Sequence, residues 1–343
     1  MPRRRVKCEL GVMKSDFSIH NSDFSLPYAV GIDLGGTNIK FGVVSSSGRI
    51  VRRARIPTLA AHGPKKALRR IVAVIRRFAR EYDVSQVGIG VAGLIDHKRG
   101  VIRLPPNLPG WDGTPVKETI ERVTGITTTV GNDVNACVLG EFLFGAGRGK
   151  RDVFCLTLGT GIGGGIVANG RLVIGANQSA GEVGHTTIFP DGQMCKCGSR
   201  GCLECYAGAE YIVQRAVALL RTLGPKLKSR SLIRKYTRNR LETLTTRIIA
   251  RAAAHGDAVA LDVIRETGYY VGLGIANVIH LLDPEVIIIG GGVSGFGKPL
   301  LAAIQATVDE RIARFEGWKL EIRLSELGDD AGVLGASQLR RFV

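Results

Sequence analysis

From Tyr28 onward, apolar residues alternate with polar ones or run in short blocks, and those blocks read as strands. Tyr28–Asp33 is a short apolar strand, Gly35 and Gly36 a turn, Ile39–Val44 a second strand and Arg49–Ile56 an alternating third. Over Pro64–Tyr82 the period changes: Leu68, Ile71, Val72, Ile75 and Phe78 recur at helical spacing behind a proline. Strands over Gln86–Val91 and Ile126–Val130 and a helix over Asp133–Phe144 follow. The second half repeats that order. Val153–Leu158 is a strand, Gly159–Gly165 a glycine-rich turn, and Ile166–Ala168 with Leu172–Ile174 make two more strands. After an insertion comes Glu285–Ile289, a continuous apolar run and hence a buried strand. A helix from about Pro299 to Ala313, a strand near Leu320–Leu324 and a last helix from Asp329 complete the copy. The pattern predicts an internally duplicated α/β protein with a cleft between its halves. Residues 1–27 are polar and aperiodic, a loose extension.

Three glycine-rich turns each follow a strand. In Gly31–Lys40 (GIDLGGTNIK) the strand delivers a carboxylate at Asp33, and Gly35 and Gly36 let backbone N–H groups approach an anion. Thr37 adds a hydroxyl and Lys40 a cation. Thr157–Gly165 (TLGTGIGGG) is a similar turn, with Thr160 and Gly161 at its tip. Gly291 and Gly292 lie at the carboxyl end of the buried strand, where α/β sheets bind ligands. Any one of these could be an ordinary tight turn. None has the Walker spacing or a clean G-x-G-x-x-G, so neither a P-loop nor a dinucleotide site is expected. In Gly131–Ala136 (GNDVNA) a strand end enters a helix, which projects Asn132 and Asp133 into the cleft. Both residue types also suit a helix N-cap, a role compatible with catalysis.

Of seven cysteines, Cys195, Cys197, Cys202 and Cys205 fall within eleven residues. Such a cluster beside a histidine reads as a metal site in a reducing compartment. The spacing His185-x9-Cys195-x-Cys197-x4-Cys202 offers one imidazole and three thiolates, a closed structural Zn²⁺ set. Cys202 and Cys205 also form a C-x2-C, for which redox chemistry is the rival reading, without the flanking pattern of a thioredoxin motif. Cys8, Cys137 and Cys155 are isolated.

Composition adds bounds. A chain of 343 residues, 45% hydrophobic and 22% charged, can bury a sizeable core and suits about two domains. No apolar run approaches a membrane span and no apolar stretch backs the basic N-terminus, so a soluble, cytoplasmic protein is expected. The net charge is +17, and seven Lys or Arg lie between Lys226 and Arg240 with no acid among them. A polyphosphate groove, nucleic-acid contact or steering of an anionic substrate would each use such a stretch. A solvated surface is the simpler reading, and no aromatic–basic motif supports nucleic acid.

Together these motifs resemble the ROK sugar kinases, in particular their bacterial ATP-dependent glucokinases. The resemblance runs from about Tyr28 to the C-terminus, and the zinc spacing is its most discriminating part. It implies the duplicated actin/hexokinase/Hsp70-like (RNase H-like) two-domain α/β fold with a sugar/ATP cleft and a zinc-bound loop. The small domain would comprise residues 28–131 and the C-terminal helix at about 329–343. The large one would comprise 132–328, with the zinc loop at 185–205. Asp133 resembles the base that accepts the proton of the sugar 6-hydroxyl. Asn132, Glu182, His185 and Glu204 match positions that hydrogen-bond the ring hydroxyls, joined by Asn107. His185 would then hold zinc through one nitrogen and face the sugar with the other. Asp33, Gly35, Gly36, Thr37, Lys40, Thr160 and Gly161 match the phosphate and Mg²⁺ end of an ATP site, and Gly291 and Gly292 the adenosine side.

The implied reaction is glucose plus MgATP giving glucose 6-phosphate plus ADP, in a homodimer or homotetramer without nucleic-acid or membrane partners. A polyphosphate-dependent glucokinase or glucomannokinase, another hexose or N-acetylhexosamine kinase, and a non-catalytic sugar sensor are the alternatives. The zinc motif counts against the polyphosphate donor, and Asp133 with the three turns counts against the sensor. ROK repressors carry an N-terminal winged-helix domain, for which 27 residues are too few. Two positions depart from the family pattern: Ala92 stands where proline is common, and Gly131 where an acidic or amide residue often precedes Asn132.

Overall fold

A computed structural model describes residues 28–222, 224, 231–313 and 318–343. The extension at 1–27, Cys8, and Lys226, Lys228 and Arg230 of the basic stretch lie outside the described residues. The first half runs β1 (Tyr28–Leu34), β2 (Asn38–Ser45), β3 (Ile50–Pro57), α1 (Pro64–Glu81) and β4 (Val84–Val91). A hairpin of β5 (Leu94–Asp96) and β6 (Val101–Arg103), then α2 (Val116–Thr124), β7 (Thr127–Asn132) and α3 (Asp133–Phe144), follow. The second half has β8 (Val153–Leu158), β9 (Ile162–Ala168) and β10 (Arg171–Leu172). Five helices come next: α4 (Glu204–Ala207), α5 (Ala209–Thr222), α6 (Leu232–Tyr236), α7 (Thr246–Ala254) and α8 (Ala258–Leu282). The chain ends with β11 (Val286–Gly290), α9 (Lys298–Arg311), β12 (Glu321–Leu324) and α10 (Ala331–Ala336).

The two large sheets share one topology. Their orders are β3-β2-β1-β4-β7 and β10-β9-β8-β11-β12. In each, the first three strands in sequence pair antiparallel and the last two join in parallel. The duplication expected from the hydrophobic pattern is therefore present strand for strand. One boundary differs: Ile162–Gly165 belongs to β9 rather than to the turn, paired with Thr157, Leu156 and their neighbours on β8. The glycines serve packing. A methyl group at Gly163 would lie 2.7 Å from Val134 Cγ2, and one at Gly165 2.7 Å from Val138 Cβ, so α3 rests directly on the strand. The third strand is Arg171–Leu172 rather than the expected Leu172–Ile174, although Val173 N still donates to Ile166 O of β9 at 2.9 Å.

Separate cores lie on each sheet. Phe41, Ile71, Ile75, Phe78 and Trp111 are fully buried against the first, where α1 covers it. The insertion, to which the sequence pattern assigns no elements, builds the second core from α5, α7 and α8, joined by α9 from after β11. Between the sheets, Ala136, Val138 and Leu139 of α3 meet Val153, Val286, Ala336 and Leu339. The last helix comes so close to the first sheet that Gly31 faces the Val333 carbonyl and Gly88 the Ala336 carbonyl, with no room for a Cβ. The buried carboxylate of Glu141 on α3 fixes the approach to that helix, accepting from Ala146 N at 2.9 Å, Leu327 N at 3.0 Å and Ser325 Oγ at 2.5 Å. Among the described residues no helix is long and apolar enough to cross a membrane.

Candidate functional site

Strand β7 hands its last residue to a helix cap. Asn132 is extended, and its side-chain oxygen accepts from Val134 N at 2.8 Å and Asn135 N at 3.1 Å. Its amide donates to the Gly93 carbonyl at 3.1 Å, tying the Ala92–Gly93 loop to the strand end. With Asn132 occupied as the cap, Asp133 heads the first turn of α3 and keeps one contact, Val134 N to Oδ1 at 3.0 Å. Burial, reinforced by the negative charge of Asp33 and to a lesser degree Glu182, pushes its carboxyl up to about 6 against the pull of backbone amides. At Gly131 a methyl would sit 2.8 Å from Leu339 Cδ2, the movable end of that side chain.

Asp33 faces Lys40 across the β1–β2 ladder. Lys40 Nζ stands 3.5 Å from Asp33 Oδ2 and 3.3 Å from Asp329 Oδ1. Burial raises the Asp33 carboxyl above its ordinary range, Lys40 opposes this, and Asp329 adds to it. Asp329 was legible only as a helix start, because its partner is far away in sequence. The first turn is braced from β3's end: Thr58 Oγ1 donates to Gly35 O at 2.6 Å and Thr58 N to Thr37 O at 2.8 Å. Thr37 is exposed. Gly36 abuts Asn107, whose carbonyl would be 3.0 Å from a methyl there, so the exposed Asn107 loop lies on this turn.

The second turn leaves Thr160 and Gly161 exposed and is closed by Gly159 N to Gly161 O at 2.9 Å. Ala209 N, at the start of α5, donates to Gly159 O at 2.9 Å. Gly291 has φ +81 and backs onto Leu158 at the head of this turn, while Gly292 beside it faces open space. Two of the three turns thus come together, at the carboxyl ends of β8 and β11.

Glu182 precedes a short 3₁₀ turn, Val183–His185. Its carboxyl is raised by burial and by Glu204, and lowered by His185. His185 Nδ1 is 3.8 Å from Cys195 Sγ, Cys197 Sγ is 3.7 Å from Cys202 Sγ, and the four donor atoms lie within 4.8 Å of one another. Zn–S bonds of ~2.3 Å in a tetrahedron put sulfurs ~3.8 Å apart, so the residues fit zinc with no open position. Nδ1 faces the thiolates, which leaves Nε2 for another partner. Cys205 is buried outside this group of four, its Sγ 3.9 Å from Met194 O. With Cys202 among the metal donors, the redox reading of the C-x2-C loses its partner. Glu204 heads α4 and reaches back to the second turn, where its Oε2 accepts from Ile162 N at 2.9 Å. One of its oxygens is therefore committed to the protein. The charges of Asp33 and Glu182 act on Asp133, and those of His185 and Glu204 act on Glu182, so these five residues are electrostatically linked.

The ROK family profile matches residues 29–342. The chain belongs to the ROK family. The glucokinase of Thermotoga maritima is 38% identical over 311 residues, covering 90% of this chain and 96% of that protein. The xylose repressor of Caldicellulosiruptor bescii is 30% identical over 311 residues, 89% of this chain and 76% of that one. Among solved structures, a ROK family glucokinase from Streptomyces griseus in complex with glucose and AMPPNP superposes with TM-score 0.79 at 36% identity, covering 92% and 99% of the two chains.

Proposed function

We propose that this ROK chain is a glucokinase that moves the γ-phosphoryl group of ATP to the 6-hydroxyl of glucose. The observation that carries the reading is Asp133 at the head of α3: a carboxylate pushed up to about 6 by burial and by the charges of Asp33 and Glu182. At neutral pH such a group is mostly ionised yet basic enough to take a hydroxyl proton, a contribution of about 10²–10⁴-fold. The sugar O6 attacks the γ-phosphorus as its proton passes to Asp133, and the bond to the β-phosphate oxygen breaks to release ADP. Little covalent work falls to the protein in such a transfer, so alignment and charge neutralisation dominate. The amides of Gly36, Thr160 and Gly161, with Thr37 and Lys40, contribute to that neutralisation, Gly35 shapes the turn by donating its N–H to Asn38 O at 3.1 Å, and Gly291, packed on Leu158, presents Gly292 to open space on the adenosine side. Asp33 would hold Mg²⁺, which would supply the rest of the charge neutralisation. Asn107, Asn132, Glu182, His185 and one oxygen of Glu204 hold the sugar, and zinc at His185, Cys195, Cys197 and Cys202 fixes the imidazole that faces it.

The glucokinase relatives, and the relative solved with glucose and AMPPNP, support both substrates. In this reading residues 28–131 with 329–343 form a small domain and 132–328 a large one, closing on the sugar to exclude water. Assembly as a homodimer or homotetramer in the cytoplasm, without nucleic acid, belongs to the same reading. The test is ADP release from MgATP across glucose, mannose, fructose, N-acetylglucosamine and N-acetylmannosamine, with polyphosphate as a second donor. Turnover on glucose with ATP supports the assignment. Turnover with polyphosphate alone moves the donor, and silence with both leaves a sugar sensor.

A further inference from the structure

Between β10 and Glu182 the chain forms a surface loop in which residues 175–177 and 179 are exposed while Gln178 is half-buried. Gln178 has φ +62, a left-handed conformation rare for a side chain of its size. The loop is closed locally, with Gln178 N donating to Gly175 O at 3.1 Å and Ala180 N to Ile174 O at 3.2 Å. What the unusual backbone achieves is direction. The Gln178 side chain reaches out of its loop to the first half of the chain, where its Oε1 accepts from the backbone amide of His97 at 2.8 Å.

His97 begins the turn of the β5–β6 hairpin, a two-stranded sheet of its own in the first half of the chain, and is 8% exposed, whereas Lys98 and Arg99 after it are exposed. Its ring lies against Gly131, with Cε1 3.6 Å from where a Cβ would be, one residue before Asn132 and two before Asp133. Gln178, for its part, is four residues before Glu182. The loop end next to Glu182 is anchored too, because Gly181 packs backbone to backbone on Gly164 of β9. The contact therefore joins the segment carrying the proposed base to the segment carrying a proposed sugar ligand.

We propose that Gln178 is a positioning residue: its bond to the His97 amide is a latch between the loop that follows β10 and the β5–β6 hairpin that sets Glu182 against Asp133 and so governs sugar affinity. This rests on the reading of those two carboxylates as the sugar-side groups. The Gln178 loop follows β10, the edge strand separated by β9 and β8 from β11 and its Gly291 turn, so the latch is expected to act on the acceptor and not on the nucleotide.

Three variants test it. Gln178→Leu removes the acceptor; Gln178→Gly removes it while relieving the left-handed backbone; Gln178→Glu keeps an acceptor of the same reach. Loss of one such bond is expected to raise the glucose KM about tenfold in the Leu and Gly variants, with the ATP KM within about twofold and the Glu variant near wild type. Amide hydrogen exchange in residues 175–182 should rise in the same two variants without substrate. Unchanged glucose KM in both variants overturns the proposal, whatever the exchange does, and so does a parallel rise in the ATP KM. If wild type phosphorylates no sugar, the kinase reading fails on its own, and unchanged exchange in Gln178→Gly then refutes the latch.

Discussion

Replacing Asp133 by asparagine should make the protein more stable and at the same time nearly inactive. Its carboxyl rises from an ordinary 3.8 to about 6 on folding. At ~1.36 kcal/mol per unit, a shift of about 2 units means that holding it ionised costs about 3 kcal/mol, which the water reaching this half-buried group trims to about 1–3 kcal/mol. The folded state binds the proton more tightly than the unfolded one between the two values. Stability therefore falls as pH rises through roughly 4 to 6, and the cost is fully present at pH 7.5. Asparagine is neutral, nearly isosteric, and retains an oxygen for Val134 N, so it removes the cost without removing the contact. Thermal melting followed by circular dichroism at pH 7.5 should show Asp133→Asn higher by about 2–6 °C. The gap should close toward pH 4, where wild type is protonated too. An equal or lower melting temperature at pH 7.5, or a gap that persists unchanged at pH 4, refutes the reasoning.

Other consequences follow from the same geometry. The glucose kcat/KM of wild type should fall below about pH 6 with a slope of one proton, because the base is lost as Asp133 protonates; a flat profile from pH 5 to 8 would place the base elsewhere. Cys202→Ser should lower zinc below one ion per chain by elemental analysis and raise the glucose KM more than the ATP KM, since the metal orients His185 and does not touch the nucleotide turns. Gly291→Ala sets a side chain at φ +81, with its Cβ 2.7 Å from Leu158 N. It should raise the ATP KM and lower the melting temperature by several degrees, while the glucose KM stays within about threefold.

The strands and their duplication were readable because short apolar runs bounded by glycine carry a strong local signal, and the second copy repeats the first. The helical insertion was not: α8 has a buried stripe at helical spacing, but Thr267, Gly268, Gly272 and Gly274 stand in it, so the stripe reads less apolar than it packs. The glycines of Gly163–Gly165 read as a turn because glycine marks both turns and close helix contacts. Only the position of Val134 and Val138 on α3 decides between the two. In the candidate site, the residue types and the zinc spacing could be read directly. Long-range geometry could not: Glu204 gives one oxygen to Ile162, Lys40 reaches Asp329, and Gln178 crosses to His97. Each of these joins residues tens to hundreds of positions apart, with no periodicity to announce it.

The central claim is that Asp133 accepts the proton from a glucose hydroxyl while ATP supplies the phosphoryl group. The most direct measurement is glucose 6-phosphate formation from MgATP and glucose by wild type and Asp133→Asn, with glucose binding to both followed by calorimetry. The account predicts steady product from wild type, a loss of at least about 10²-fold in kcat for the variant, and glucose affinity retained within a few-fold. Glucose 6-phosphate formation by Asp133→Asn at the wild-type rate would contradict it.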